Sequence, residues 1–144
     1  MSYQKGFDVA IADWLLLLQR LDAIRMKHSM AIILLSHARI KTVKNPLGPH
    51  YDRFIADVHD KTWEVTAKWA DAILFGNFPP IVLTDRPDSK KGKAIGKTAR
   101  VLFCERTDAY DAKNRYGMPE SIDMPNDPAA MWATLETALK GNKE

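Results

Sequence analysis

The chain has 144 residues, 46% of them apolar, which suffices for one ordinary hydrophobic core, so a single domain over residues 1–144 is expected. Twenty-one Lys and Arg against 18 Asp and Glu give a formal charge of +3 and a pI near 9.0, a bias too mild to specify a nucleic-acid partner by itself. A lone cysteine, Cys104, excludes an internal disulfide framework, the first residues carry no secretory apolar region, and no apolar run approaches the roughly 20 residues of a membrane span, so a cytoplasmic protein with no membrane partner is expected.

From Phe7 to about Met26, apolar residues at Phe7, Ile11, Trp14, Leu15, Leu18, Leu21 and Ile24 follow the three-and-four spacing of an amphipathic helix. Ala31-Ile-Ile-Leu-Leu35 is apolar at every position, the pattern of a central strand covered on both faces in a parallel α/β sheet. Arg39 to Arg53 holds two prolines and a glycine within Asn45–Pro49 and reads as a loop carrying four Lys/Arg and one Asp. A second helix is expected from Asp52 to Trp69, then a strand at Ala72–Phe75 and a hairpin arm from Phe78 to Thr84, with Pro79 and Pro80 at its bend. Asp85 to Arg100 is a polar stretch with six Lys/Arg and two Asp, followed by a strand at Val101–Cys104, a turn-rich segment from Tyr110 to Pro128 and a terminal helix over Ala129–Leu139. So few strands leave a sheet edge open, to be filled by further sequence or another chain.

Gly92-Lys-Ala-Ile-Gly-Lys-Thr98 ends like a phosphate-binding loop, but the required first glycine is replaced by Lys91, and the match leads into a strand rather than a helix. A solvated basic turn explains it better. Ser36 and His37 end the apolar run, where open α/β sheets bind ligands, although a lone histidine is more often structural. Asp52, His59 and Asp60 have no recognised metal-ligand spacing, so no metal site is expected. Arg39, Lys41, Lys44 and Arg53, with Tyr51 and Phe54 nearby, suit either a solvated loop or contact with a nucleic-acid single strand. Lys113 and Arg115 stand two apart, so in an extended segment they project to one side and converge on one anion, unless they serve a surface ion pair.

Four ordered stretches then stand out: Leu34-Leu-Ser-His-Ala-Arg-Ile-Lys41, Asn45-Pro-Leu-Gly48 with Tyr51-Asp-Arg53, Trp69-Ala-Asp-Ala-Ile-Leu-Phe75, and Ala112-Lys-Asn-Arg-Tyr-Gly-Met-Pro119. Together they resemble the C-terminal half of phage RecA-like nucleotide-binding proteins, recombination ATPases encoded near single-strand annealing and binding proteins. The resemblance implies an α/β fold: a partial RecA-like P-loop NTPase core, three-layered αβα, with a mostly parallel sheet and a hairpin arm. The N-terminal half, which in that family supplies the phosphate loop and magnesium ligands, is not found in this sequence. ATP and Mg2+ are therefore cofactors by resemblance only, and this chain alone is expected to be inactive as an ATPase.

By the same resemblance, Ser36 and His37 sense the γ-phosphate, Arg39, Lys41, Lys44 and Arg53 lie in the loop that meets single-stranded DNA, and Lys113 and Arg115 form the Lys-x-Arg pair that reaches a neighbouring subunit's nucleotide. A trans-acting cation implies partners: a ring or filament of the same chain, an intact ATPase subunit, or a phage single-strand annealing or binding protein. The expected function is support of ATP-dependent DNA recombination and annealing in a bacterial host's cytoplasm. The alternative is a non-catalytic DNA-binding or regulatory module that docks on an intact ATPase.

Overall fold

The computed structural model describes the backbone of residues 3–78, 80–83, 93–96 and 100–141, and the side chains of residues 6, 9–78 and 100–141. The chain divides into two compact units, Met1–Ala70 and Asp71–Glu144.

The first unit opens with helix α1 (Tyr3–His28). Leu18 is buried and Ile11, Trp14 and Leu21 are half-buried, a stripe at helical spacing. Arg25, Lys27 and His28 in the last turn suit the negative end of the helix dipole. The helix ends at Ser29, whose φ of +50° is left-handed, and the Met30 N–H bonds back to the Arg25 carbonyl at 3.2 Å, a closure usually given to glycine.

Strands β1 (Ala38–Val43) and β2 (Tyr51–Ala56) form an antiparallel hairpin in which Arg39 faces Ile55, Lys41 faces Arg53 and Val43 faces Tyr51. The expected loop over Arg39–Arg53 is therefore a hairpin. Its arms alternate with period two, and Asn45–Pro49 is only the turn, where the Asn45 side chain accepts from the Leu47 N–H at 3.0 Å. Helix α2 (Asp60–Trp69) starts well after Asp52 because the preceding residues pair with β1. His59 caps it, its Nδ1 accepting from the Lys61 N–H at 3.3 Å. Two indoles stitch α2 to α1: Trp14 Nε1 donates to Thr66 Oγ1, and Trp69 Nε1 to Asp22 Oδ2, each at 2.8 Å.

Ala31–Leu35 does not form the expected strand. It runs without regular structure, and Ile33, Leu34 and Leu35 are exposed. A strand exists only as a member of a pair, and among the described residues no neighbour takes up this segment's backbone groups.

In the second unit, β3 (Ala72–Ile73) pairs with β8 (Lys113–Asn114). A three-stranded sheet has the order β4 (Phe75–Asn77), β7 (Arg100–Phe103), β9 (Ser121–Met124). The expected arm is a hairpin of β5 (Pro80–Leu83) and β6 (Lys93–Gly96), standing between β4 and β7 in the chain. Helix α3 (Pro128–Lys140) begins where Asp127 accepts from the Ala130 N–H at 2.8 Å, with Pro128 in its first turn. Cys104, Met118 and Ile122 form the buried centre, with Leu74, Leu102, Met124 and Leu139 against it. Burial pushes the Cys104 thiol above its ordinary pKa. Phe75, Phe103 and Tyr110 stack beside the sheet, with centroids 4.7 to 6.2 Å apart.

The expected mostly parallel sheet is not formed, since every strand pairing among the described residues is antiparallel. Parallel neighbours need a long crossover, usually helical, and between β3 and β9 no helix lies among the described residues. Nor is any described helix long and apolar enough to cross a membrane.

Ion pairs fix the hairpin to the start of α2. The Asp60 carboxylate accepts from Arg39 Nη2 at 2.9 Å and from Lys41 Nζ at 2.6 Å. Its pKa is held below the ordinary value, first by the Lys41 hydrogen bond and further by the charges of Lys41, Arg39 and His59, while desolvation opposes them. A depressed folded-state pKa adds stability above the unfolded value of about 3.9 and loses it as pH falls through the folded value. Asp60→Asn should therefore flatten the loss of urea stability below about pH 4, at a cost near neutrality of no more than about 1 kcal/mol per exposed pair; an acid limb identical to wild type would contradict this. At Ser29, removing Cβ relieves roughly 1–2 kcal/mol of left-handed strain, against about 0.5–1 kcal/mol of added chain entropy for glycine. Ser29→Gly should thus raise the unfolding free energy by about 0.5–1 kcal/mol in urea titration, and a fall would refute the strain assignment.

Candidate functional site

Each unit gathers cations, and each does so around aspartates. In the first unit, strand alternation turns Arg39 and Lys41 to the same hairpin face, with Arg53 opposite Lys41. Arg39 Nη2 donates to the Val58 carbonyl at 3.3 Å as well as to Asp60, and its Nε, buried without a hydrogen bond, lies 3.6 Å from Asp57 Oδ1. Arg53 is buried, its Nη2 donating to the Tyr51 hydroxyl at 2.8 Å and its guanidinium lying 5.3 Å from the Tyr51 ring centroid. Lys44, just past β1, is exposed.

Ser36 and His37 sit just before β1 rather than at the end of a strand. Both are exposed; the Ser36 hydroxyl donates to the His37 carbonyl at 2.9 Å, and that carbonyl accepts from the Asp57 N–H at 2.7 Å. The backbone thus ties this pair to the carboxylate turn that holds Arg39.

In the second unit, β3–β8 pairing brings Lys113 and Arg115 to Asp71. The Arg115 N–H donates to the Asp71 carbonyl at 3.2 Å, and its Nη1 to Asp71 Oδ1 at 3.1 Å. The Lys113 ammonium is pushed below its ordinary pKa, first by desolvation and then by the Arg115 charge, while Asp71 opposes the shift. The two cations therefore feel one another, and Arg115 at the same time serves a surface ion pair with Asp71. Asn114 between them fixes the turn: its Oδ1 accepts from the Tyr116 and Met118 N–H groups at 3.0 and 3.2 Å, and its Nδ2 donates to the Met118 carbonyl at 2.7 Å. Gly117, at φ +68°, supplies the left-handed residue this turn requires. The Arg115–Asp71 pair is half-exposed, and such a pair holds a side chain by no more than about 1 kcal/mol, so an incoming anion can exchange with the aspartate.

Asp57, Asp71 and Asn114 are given no role of their own by the sequence, and Asp60 enters it only as a metal ligand that its spacing does not support. The two aspartates of the first unit are visible in the sequence only as charges following β2, and the strand register is needed to place them under Arg39 and Lys41.

Among the described residues the Gly92–Thr98 match shows a strand and not a phosphate loop. A phosphate loop curls successive N–H groups around an anion, whereas Lys93–Gly96, the middle of the Gly92–Thr98 match, is a strand paired with Pro80–Leu83. Gly92, Lys97 and Thr98 lie outside the described residues. Among the described residues no three His, Cys, Asp or Glu gather to hold a metal ion.

A family model described as AAA domain matches residues 1–116, which is most of the chain. No curated protein and no solved structure matches it. The match spans α1, the β1–β2 hairpin, α2 and the turn bearing Lys113 and Arg115, and by it the chain belongs to the AAA domain family of P-loop, ATPase-like nucleotide-binding proteins.

Proposed function

We propose that the chain is the C-terminal portion of a phage-type, RecA-like ATPase core, acting as one domain in ATP-dependent DNA recombination and single-strand annealing. The family match supplies the nucleotide, and the four ordered motifs point to this branch of it. The observation that carries the reading is the Lys113–Arg115 pair, two cations two residues apart on a glycine-closed turn, with Arg115 held by a half-exposed pair to Asp71.

In this reading Lys113 and Arg115 act on ATP and Mg2+ bound by a neighbouring subunit, in a ring or filament of like chains or beside an intact ATPase. Negative charge spread over the γ-phosphate oxygens is the natural partner for such cations. Ser36 and His37 relay nucleotide state to the hairpin through the His37–Asp57 backbone bond. The hairpin meets single-stranded DNA with Lys44 foremost; Arg39 and Lys41 reach phosphate by exchanging it for Asp57 and Asp60, and buried Arg53 holds the hairpin's shape behind them. A phage annealing or single-strand-binding protein is the fitting companion, in the bacterial host's cytoplasm. A second reading, a non-catalytic module docking on an intact ATPase, draws on the strand pairing of Lys93–Gly96, which stands where the described part of the phosphate-loop look-alike would curl.

The two readings part on one experiment. ATP hydrolysis is followed with single-stranded DNA present, for the chain mixed with an AAA subunit that carries a phosphate-binding loop. Arg115→Ala should lower turnover by about 10³-fold or more while nucleotide affinity is unchanged. Unchanged turnover sinks the trans-acting role and leaves the docking module.

A further inference from the structure

The net positive charge of this chain falls within one stretch of its sequence. Residues 85–100 hold six Lys/Arg and two Asp, a net +4, and removing them from the chain's 21 and 18 leaves 15 basic against 16 acidic side chains elsewhere. The whole basic excess thus lies in the segment that includes β6 and ends at the first residue of β7. The β1–β2 hairpin, by contrast, sets Arg39 and Lys41 against Asp57 and Asp60 and buries Arg53.

At the root of the β5–β6 arm stands a second feature, which includes Arg100, the last of those six cations. Phe78 directly follows β4 and is 52% exposed, and Arg100 opens β7 with its guanidinium 5.7 Å from the Phe78 ring centroid. The Phe78 N–H donates to the Asn77 side chain at 2.8 Å, which fixes the backbone below the ring. An exposed phenyl ring costs free energy in water, and here it is kept beside a cation at the base of a basic hairpin. A flat apolar face beside a guanidinium is the pairing that a nucleotide with an unstacked base satisfies, the base stacking on the ring while the phosphate meets the cation. An acidic protein surface would use the charge but leave the ring unmatched, and a duplex would hide the base faces.

We propose that the root of the β5–β6 arm, with Phe78 as stacking platform and Arg100 as phosphate contact, is a binding site for single-stranded nucleic acid. It rests on the reading that this chain works on DNA, and it draws on residues other than those of the β1–β2 hairpin.

The test is binding of a fluorescein-labelled oligothymidine to the full chain by anisotropy across a salt series, with a duplex of equal length as comparison. Arg100→Gln should reduce the slope of log affinity against log salt by roughly 0.7, the value for one phosphate of a single strand left without its cation. Phe78→Ala should weaken single-strand binding on the order of tenfold without changing that slope, and Phe78→Trp should restore it. Phe78 and Arg100 are exposed, so these variants keep the fold, which their circular dichroism verifies. If they bind like wild type while Lys41→Gln with Lys44→Gln weakens binding, the arm site is overturned and the DNA function stands. If the wild-type chain binds no oligonucleotide at low salt, the DNA function itself fails. Equal binding of duplex, with Phe78→Ala silent, overturns the single-strand platform.

Discussion

A strand is stable only where neighbours take up its backbone N–H and C=O groups, and that constraint decides the architecture of both units. It turns the proline-containing stretch after Ala38 into a hairpin, because two alternating arms lie close enough in sequence to satisfy each other. It leaves Ala31–Leu35 without regular structure despite a composition suited to a sheet's centre. It also removes the phosphate-loop look-alike from consideration, since the backbone groups of Lys93–Gly96 face Pro80–Leu83 in a ladder instead of converging on an anion.

Charge is arranged on top of that backbone plan. In the first unit, carboxylates at the start of α2 neutralise the cations of the hairpin and fix its face. In the second unit, Asp71 holds Arg115 with a single half-exposed pair while Asn114 and Gly117 set the turn. These are different devices. Arg39 and Lys41 share the Asp60 carboxylate, and Arg39 also meets Asp57, whereas among the described residues Arg115 forms an ion pair with Asp71 alone. The second arrangement suits a group that must meet a ligand arriving from outside.

Helices α1 and α3 are legible in the sequence because their signals are local, the stripe from Ile11 to Leu21 and Pro128 in the first turn of α3, whereas α2 is legible only at its end. The first strand of the β5–β6 arm and the strand at Val101–Cys104 are legible too, whereas Lys93–Gly96, which reads as part of a solvated basic turn, is the arm's second strand. The first hairpin is hidden by Pro46, Gly48 and Pro49, which mark a turn as readily as a long loop. Sheet direction is not legible, because parallel or antiparallel pairing is settled by partners distant in sequence. At the candidate site, Lys113 and Arg115 stand out by their spacing, whereas Asp71, far from Arg115 in sequence, joins them only through the β3–β8 register. Membership of the AAA domain family carries the nucleotide-binding expectation; the trans-acting, DNA-directed role remains the proposal built upon it.

The central claim is that this chain contributes cations to a nucleotide it does not itself cradle. Titration of the isolated chain with a fluorescent ATP analogue and magnesium addresses that claim most directly. The account predicts no saturable binding, and saturable binding in the micromolar range would contradict it.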